Sequence, residues 1–438
     1  MAEADESPES LRGYGGGGSP GGNQAALVAA VRGEIADHGI EASPAAPSVS
    51  DELFTLGQSL AFDKELSGNR NISCLSCHHP TLASGDARAL PLGEGGSGLG
   101  VDRVDGEIIP RNAPHLFNLH VYDTMFWDSR VEPDGGGGFA TPAGDQLTPE
   151  MEAVFDFGVV SAQAMFPVTS PEEMRGHPGS NDLADIPGDD FTAIWETLMN
   201  RLGAIPEYVD LFEDAYPGTD FDDMTFAHAA NAIAAFEIAG FEANDTPWEA
   251  FVAGDDDALS KKELRGALAF FDSGCASCHS GPGFSDFEHH NTALAQFGPG
   301  KGDGPTGTDD FGRQRVTGDA DDMYRFRTAT LVNVAATGPW GHDGQFKDLK
   351  QFVKHYDDPI KRLNKYKIHK HVDNEELWEL ELDNADDVID ALTAAFADSE
   401  VNNARRIERF LGTLTDEDSL DGADLVPDSV PSGLPVAD

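Results

Sequence analysis

Cys74-Leu-Ser-Cys77-His78 and Cys275-Ala-Ser-Cys278-His279 decide how this chain is read. They hold all four of its cysteines, and each pair is followed at once by a histidine. C-x-x-C-H is the attachment signal of a c-type haem: two thiols at this spacing form thioethers with the vinyl groups, and the adjacent imidazole supplies an axial nitrogen to iron. Paired C-x-x-C units also make four-thiolate zinc sites, usually with about 15 to 20 residues between the pairs. Here the pairs lie in opposite halves of the chain, and a zinc or labile-disulfide reading leaves the repeated histidine unexplained. Two covalently bound haem c groups are therefore expected, with His78 on the first iron and His279 on the second. Covalent haem attachment takes place outside the cytoplasmic membrane in prokaryotes, so the mature protein is expected to be periplasmic or otherwise extracytoplasmic.

Composition sets the outer limits. The 438 residues carry 78 acidic and 29 basic side chains, a formal net charge of −49. That excess excludes a nucleic-acid binder, whose affinity comes from clustered Lys and Arg. It resembles the solvated surface of proteins from high-salt environments, where screening removes the self-repulsion. With 39% hydrophobic residues the chain can bury a large core. The longest clear apolar run, Ala25 to Val31, is far too short to cross a bilayer. The N-terminus lacks the basic and apolar regions of a secretory signal, so a signal segment is expected to have been removed already. Gly13 to Gly22 reads as a flexible tether.

Helix-like apolar spacing covers residues 24–38 and Asp51 to Phe62, the second with Ser50 or Asp51 placed as its N-cap. The glycine-rich stretches Gly93 to Gly100 and Gly135 to Gly138 mark loops. Helical patterns return at Phe191–Leu202, Pro206–Tyr216 and Thr225–Phe241. Ser260 and Glu263 form a capping box for a helix that runs into the second haem motif. Beyond a loop-rich stretch at 284–345, helices are predicted at Asp348–Tyr356, Asn374–Leu382, Asp386–Ala397 and Asn403–Leu414, before an acidic end. The chain thus reads as two similar modules, each a helix leading into C-x-x-C-H.

Further landmarks stand in order between and beyond the haem motifs. They are Leu60-Ala-Phe-Asp-Lys-Glu-Leu-Ser67 before Ile72-Ser-Cys74, then Arg111-Asn-Ala-Pro114, Phe126-Trp-Asp128, and Val332-Asn-Val-Ala335 leading to Gly341-His-Asp-Gly344. From about Leu56 to Thr415 the chain resembles the bacterial di-haem cytochrome c peroxidases, including the related enzyme that matures tryptophan tryptophylquinone. The resemblance implies a mainly α fold with two cytochrome c-like haem domains: a tether and helix at 1–45, a peroxidatic domain at 46–255, an electron-transfer domain at 256–415, and an acidic tail at 416–438.

It also implies site residues. The family places a glutamine, and ten residues later a glutamate followed by methionine, above the open face of the first haem. Gln163, Glu173 and Met174 supply that spacing, with Glu172 as the neighbour most easily mistaken for the acid. A carboxylate there can shuttle a proton between the peroxide oxygens while an amide holds the peroxide. Many members close this haem with a histidine from the loop before Arg-Asn-Ala-Pro, but between Pro80 and Pro110 there is no His, Met or Lys. An open first haem is therefore expected, with His115 and His120 the residues able to overturn this.

Fourteen positions after His342, where ordinary peroxidases have a methionine ligand to the second haem and the tryptophylquinone-maturing type a tyrosine, stands Tyr356. A hard, anionic phenolate favours oxidised iron and lowers its potential. His355 is a rival ligand. Trp127, fifteen residues after Asn112, matches a family tryptophan between the haems. The resemblance further implies one calcium ion held by Asn112 and the carbonyls of Thr337 and Pro339, oxygen ligands that suit it.

One feature falls outside the resemblance. Lys347 to Lys370 holds 8 of the 29 basic residues, and no acid occurs from Pro359 to Val372. Three readings are open: a face that offsets nearby acids, a contact with haem propionates, or a docking face for an acidic electron donor. The function expected first is reduction of hydrogen peroxide to water with electrons from a small redox protein, a cytochrome c or cupredoxin. Second is a tryptophylquinone-maturation-like oxidase that uses peroxide on a protein or organic substrate. A plain electron-transfer cytochrome and a zinc-stabilised binding module stand behind these. No nucleic-acid partner and no transmembrane segment are expected; a homodimer is compatible with the chain.

Overall fold

The helix that delivers the chain to each C-x-x-C-H segment is pinned to a partner helix at a glycine. In the computed structural model, which describes residues 20–380, 382–397 and 399–436, the first such helix is Asp51–Phe62. Ser50 caps it, its Oγ accepting from Leu53 N at 3.2 Å, and Asp51 and Glu52 complement the helix dipole in the first turn. A Cβ on Gly57 would stand 1.8 Å from the carbonyl oxygen of Ala232. Only glycine permits this approach to the alanine-rich helix Phe226–Gly240. The second delivering helix, Lys261–Asp272, carries the expected capping box: Glu263 N donates to Ser260 Oγ and Ser260 N to Glu263 Oε2. Gly266 plays the part of Gly57, since a Cβ there would lie 2.4 Å from Arg406 O in the helix Ala404–Leu411.

Each pair builds a core. Leu56, Leu60, Phe62, Phe117, Trp195 and Phe236 belong to the first; Trp248, Phe251, Phe270, Phe284 and Phe410 to the second. A third cluster gathers Leu90, Phe297, Tyr324, Phe346 and Tyr366, and so joins the loop after the first haem motif to the second half of the chain. Among the described residues, strands form two short antiparallel ladders, Glu132–Pro133 with Phe139–Ala140 and His289–His290 with Phe326–Arg327, beside a few isolated bridges. The fold is mainly α. Among the described residues no helix is long and apolar enough to cross a membrane.

The ends of the chain differ from the expected tether and tail. Residues 1–19, with most of the proposed tether, lie outside the described residues, but Pro20–Gly22 already open a helix, Pro20–Asp37, a start suited to proline. That helix packs on the second core through Val28 and Val31, and Arg32 donates to Asp256 Oδ1 at 2.6 Å and to Phe251 O at 3.1 Å. The acidic C-terminal segment instead returns to the first domain. Val430 enters its core, Ser432 Oγ donates to Asp63 Oδ1 at 2.6 Å, and Gln58 donates to Leu425 O. Each haem domain is thus completed by the terminus from the far end of the chain, because the apolar residues on those ends outweigh their charge.

Two predicted helices are shorter than their apolar spacing. Asn374–Leu382 forms only a 3-10 segment, Glu375–Leu380. Asp386–Ala397 splits into Ala385–Asp390 and Ala394–Phe396, because Thr393 leaves the helix to pair with Asn291 through both its backbone N–H and its Oγ1.

Candidate active site

Cys74, Cys77 and His78 line one cavity; Cys275, Cys278 and His279 line another. No single zinc ion can therefore collect the four thiols. Burial pushes the thiols of Cys74 and Cys275 up to about 12, so neither is poised as a thiolate. In both motifs the histidine Nδ1 faces a backbone carbonyl, Ser84 O at 3.3 Å for His78 and Phe284 O at 2.9 Å for His279. This pairing orients each ring and leaves Nε2 for iron. Burial holds both imidazoles below their ordinary pKa, hence neutral, as a metal ligand must be. The donor set at each cavity fits a c-type haem.

The first cavity, 160 Å³, brings Gln163 and Glu173 together with His78. Gln163 stands on the short helix Val159–Ala164, and Glu173 on a single π-type turn, Pro171–Arg175. That turn separates the two neighbouring acids: Glu173 lines the cavity, whereas Glu172 accepts from Ser170 Oγ and its carbonyl from Glu94 N. Burial raises the pKa of Glu173, while Arg130 and Lys301 act to lower it. His115 lines the same cavity, but its Nε2 contacts Thr330 Oγ1 at 3.2 Å and its Nδ1 accepts from Phe117 N. His120 meets Pro44 O at 2.8 Å.

Several residues of this cavity were given no role by the sequence reading, although Arg111 and Asp128 stand in its landmarks. Arg111 donates to Asp310 at 2.6 and 2.8 Å and to Asp128 at 2.7 Å. Arg130 pairs with the same Asp128 and stacks over Phe126 at 3.4 Å. Lys301 arrives from the second half of the chain on a loop with four glycines of positive φ, Gly298, Gly300, Gly302 and Gly304. Gly300 has no alternative, because a Cβ would lie 1.7 Å from Thr308 O. A lone lysine in Gly-Pro-Gly-Lys-Gly-Asp-Gly was the available signal. Glu237 also lines the cavity, with Oε2 lacking a protein partner among the described residues and its pKa pushed up to about 8 by burial.

The second cavity, 580 Å³, is walled mainly by apolar side chains, among them Leu294, Phe326, Leu331, Val334, Leu349, Phe352 and Val353. Tyr356 lines it, at the end of the helix Leu349–His355, and burial raises its pKa. His355 does not: its Nε2 is held by Thr292 O at 2.7 Å. His342 stacks on Phe326 with ring centroids 3.6 Å apart. His290 was missed by the sequence reading. It sits 3.6 Å from Cys278 Sγ beside Asp286, and its pKa is raised to about 9, mainly by Asp286. These three could hold a metal ion, but thioether formation at Cys278 removes one donor.

Trp127, Asn112 and Arg327 line both cavities. Trp127 Nε1 donates to Asn112 O at 3.0 Å, and Arg327 N to Trp127 O at 2.8 Å. Asn112 spends its amide N–H groups on Arg88 O and Ala89 O, which leaves Oδ1 free to accept, and it lines the second cavity together with Thr337 and Pro339. An all-oxygen set of this kind fits calcium.

Residues 51–257 match the family model described as di-haem cytochrome c peroxidase. The cytochrome c551 peroxidase of Pseudomonas aeruginosa is 32% identical over 305 residues, 70% of this chain and 71% of that protein. The methylamine utilization protein MauG of Methylorubrum extorquens is 28% identical, covering 72% and 70%. The crystal structure of a MauG-like protein associated with microbial copper homeostasis shares the fold, with a TM-score of 0.59 at 24% identity over 87% of this chain and 95% of that one.

Proposed function

This chain belongs to the di-haem cytochrome c peroxidase family, and from that premise we propose how its own residues divide the work: hydrogen peroxide is reduced to water in the first cavity, with electrons that a small redox protein, a cytochrome c or cupredoxin, delivers through the second. The observation that carries the assignment of the first cavity is the meeting there of Gln163, Glu173 and His78. Haem bound on His78 supplies the iron and the electrons for cleavage of the O–O bond. Glu173 takes the proton from one peroxide oxygen and returns it to the other, so that one water leaves; the second oxygen would leave as water once two further protons and the donor's two electrons are taken up. Gln163 holds the peroxide by its amide. Burial raises the affinity of Glu173 for that proton, and the cations of Arg130 and Lys301 keep it exchangeable. Trp127, shared by both cavities, offers an electron-rich ring on the path between them. Asn112, Thr337 and Pro339 hold calcium at the junction.

Peroxide consumption by the holoprotein with a reduced cytochrome c or cupredoxin tests this. Glu173→Gln is expected to lower it by about 100-fold or more, and a parent enzyme that leaves peroxide unconsumed overturns the reading.

Tyr356 supports a second reading, a tryptophylquinone-maturation-like oxidase acting on a protein or organic substrate. It lines the second cavity while His355 points elsewhere, and phenolate ligation would lower the potential there. Slow donor turnover beside a long-lived oxidised state would favour this second reading. Covalent haem attachment supports a periplasmic or equivalent location, and the net charge of −49 fits a saline medium.

A further inference from the structure

The basic stretch Lys347–Lys370 folds onto one support. Phe346 meets Phe352, His355, Tyr366 and His371 at ring-centroid distances of 5.4, 5.6, 5.7 and 4.9 Å. Lys347 N donates to His371 O at 3.0 Å and the Tyr366 hydroxyl to Gln345 O at 2.7 Å. Around the buried Tyr366 and Ile368, Lys365, Lys367 and Lys370 are exposed.

Most of the acids nearby are already engaged; Glu375 and Glu379, exposed on the segment that packs against Ile368–His371, are the exceptions. Asp373 pairs with Lys347, Asp358 with Lys361 and Asp357 with Arg362; Asp348 caps the helix by accepting from Gln351 N. Among the described residues, Lys350, Lys354, Lys365, Lys367 and Lys370 make no ion pair. None of the eight basic residues lines the second cavity. A face that merely offset neighbouring acids would have them as partners.

The helix Leu349–His355 couples this face to the second cavity. Leu349, Phe352 and Val353, with Tyr356 just beyond, line the cavity. Lys350 and Lys354, four residues apart, share another side of the helix. Roughly one helix diameter, about 10 Å, separates the two sides. Screening limits charge effects to about 8 Å at physiological ionic strength and about 3 Å in molar salt. A docked partner would therefore feel these lysines and not the distant acids that dominate the net charge.

We propose that this face is the docking site of an acidic electron-donor protein, which hands its electron to the second haem across the helix Leu349–His355; the proposal rests on the peroxidase reading and names its partner by charge. The test measures association of the holoprotein with two probes, plant plastocyanin, an acidic cupredoxin, and mammalian cytochrome c, a basic protein. Measurements at low and moderate salt are compared between the parent and a Lys365→Glu, Lys367→Glu, Lys370→Glu variant. Plastocyanin is expected to bind the parent, to weaken with salt, and to lose about tenfold or more in affinity on charge reversal, with the neutral Lys→Gln triple variant between. Plastocyanin binding that is unchanged in both variants, or affinities for the two probes that change alike, would overturn the proposal. So would capture of the parent by anionic lipid vesicles with no binding of plastocyanin. Peroxide consumption by chemically reduced enzyme, measured beside these, is expected to be the same in parent and variants. Its absence from the parent would sink the peroxidase reading separately, without touching the binding result.

Discussion

The two haem cavities are built from matching parts and differ in what surrounds them. Both have a glycine-pinned helix, a C-x-x-C-H segment and a histidine whose Nδ1 is held by a backbone carbonyl five or six residues on. The first then gathers the carboxylates and cations of Glu173, Glu237, Arg111, Arg130 and Lys301; the second sets Tyr324, Tyr356 and the carboxylate of Glu400 in a wall rich in Leu, Val and Phe. Breaking a peroxide moves protons as well as electrons and needs titratable groups at the reacting atoms. Passing an electron needs only a rigid, dry surround. The same attachment chemistry is thus specialised by its neighbours.

Substitutions that remove one side of this contrast should have unequal effects. Glu173→Gln is the most damaging, with kcat/KM for peroxide down about 100-fold or more, while reduction of the second haem by donor stays as in the parent; equal losses in both steps would break the contrast. Trp127→Phe keeps the ring but loses the N–H to Asn112 O, and is expected to slow transfer between the haems by roughly tenfold in single-turnover absorption traces, a scale set by the loss of one oriented group. Gly57→Ala and Gly266→Ala each force a Cβ against a backbone carbonyl and should cost about 1–3 kcal/mol of stability each. Thermal unfolding followed at the haem bands should show similar losses for both, since the two helix pairs do the same structural job.

The smallest effect concerns pH. The Lys301 cation lowers the pKa of Glu173, so Lys301→Met raises it. Proton abstraction needs the carboxylate, and the acid limb of the peroxide rate should move to higher pH by about one unit or less, since Lys301 is one of several groups acting on Glu173. A shift to lower pH would contradict the placement of Lys301 beside Glu173.

Much of this was legible from residues near one another in the chain. Haem attachment needs two thiols and an imidazole within five positions, so the motif declares itself. The delivering helices announced themselves through apolar spacing and caps at Ser50 and Ser260. What escaped depends on distant residues meeting. Lys301 reaches the first cavity on a glycine loop from the second half of the chain, and Arg327 touches both cavities from a two-residue strand. The ten-residue spacing from Gln163 picked Glu173 over Glu172, but the π-type turn that gives the two acids different surroundings had no sequence signal. The acidic composition of the C-terminus hid Val430 and Ser432, the contacts that tie it to the first domain.

Electron paramagnetic resonance of the ferric holoprotein, recorded with and without added azide, tests the central claim most directly. We predict one high-spin and one low-spin centre, with azide converting the high-spin signal alone and Tyr356→Met altering the low-spin signal alone. Two low-spin centres inert to azide, or two that both respond to it, would contradict the assignment of one open and one closed haem.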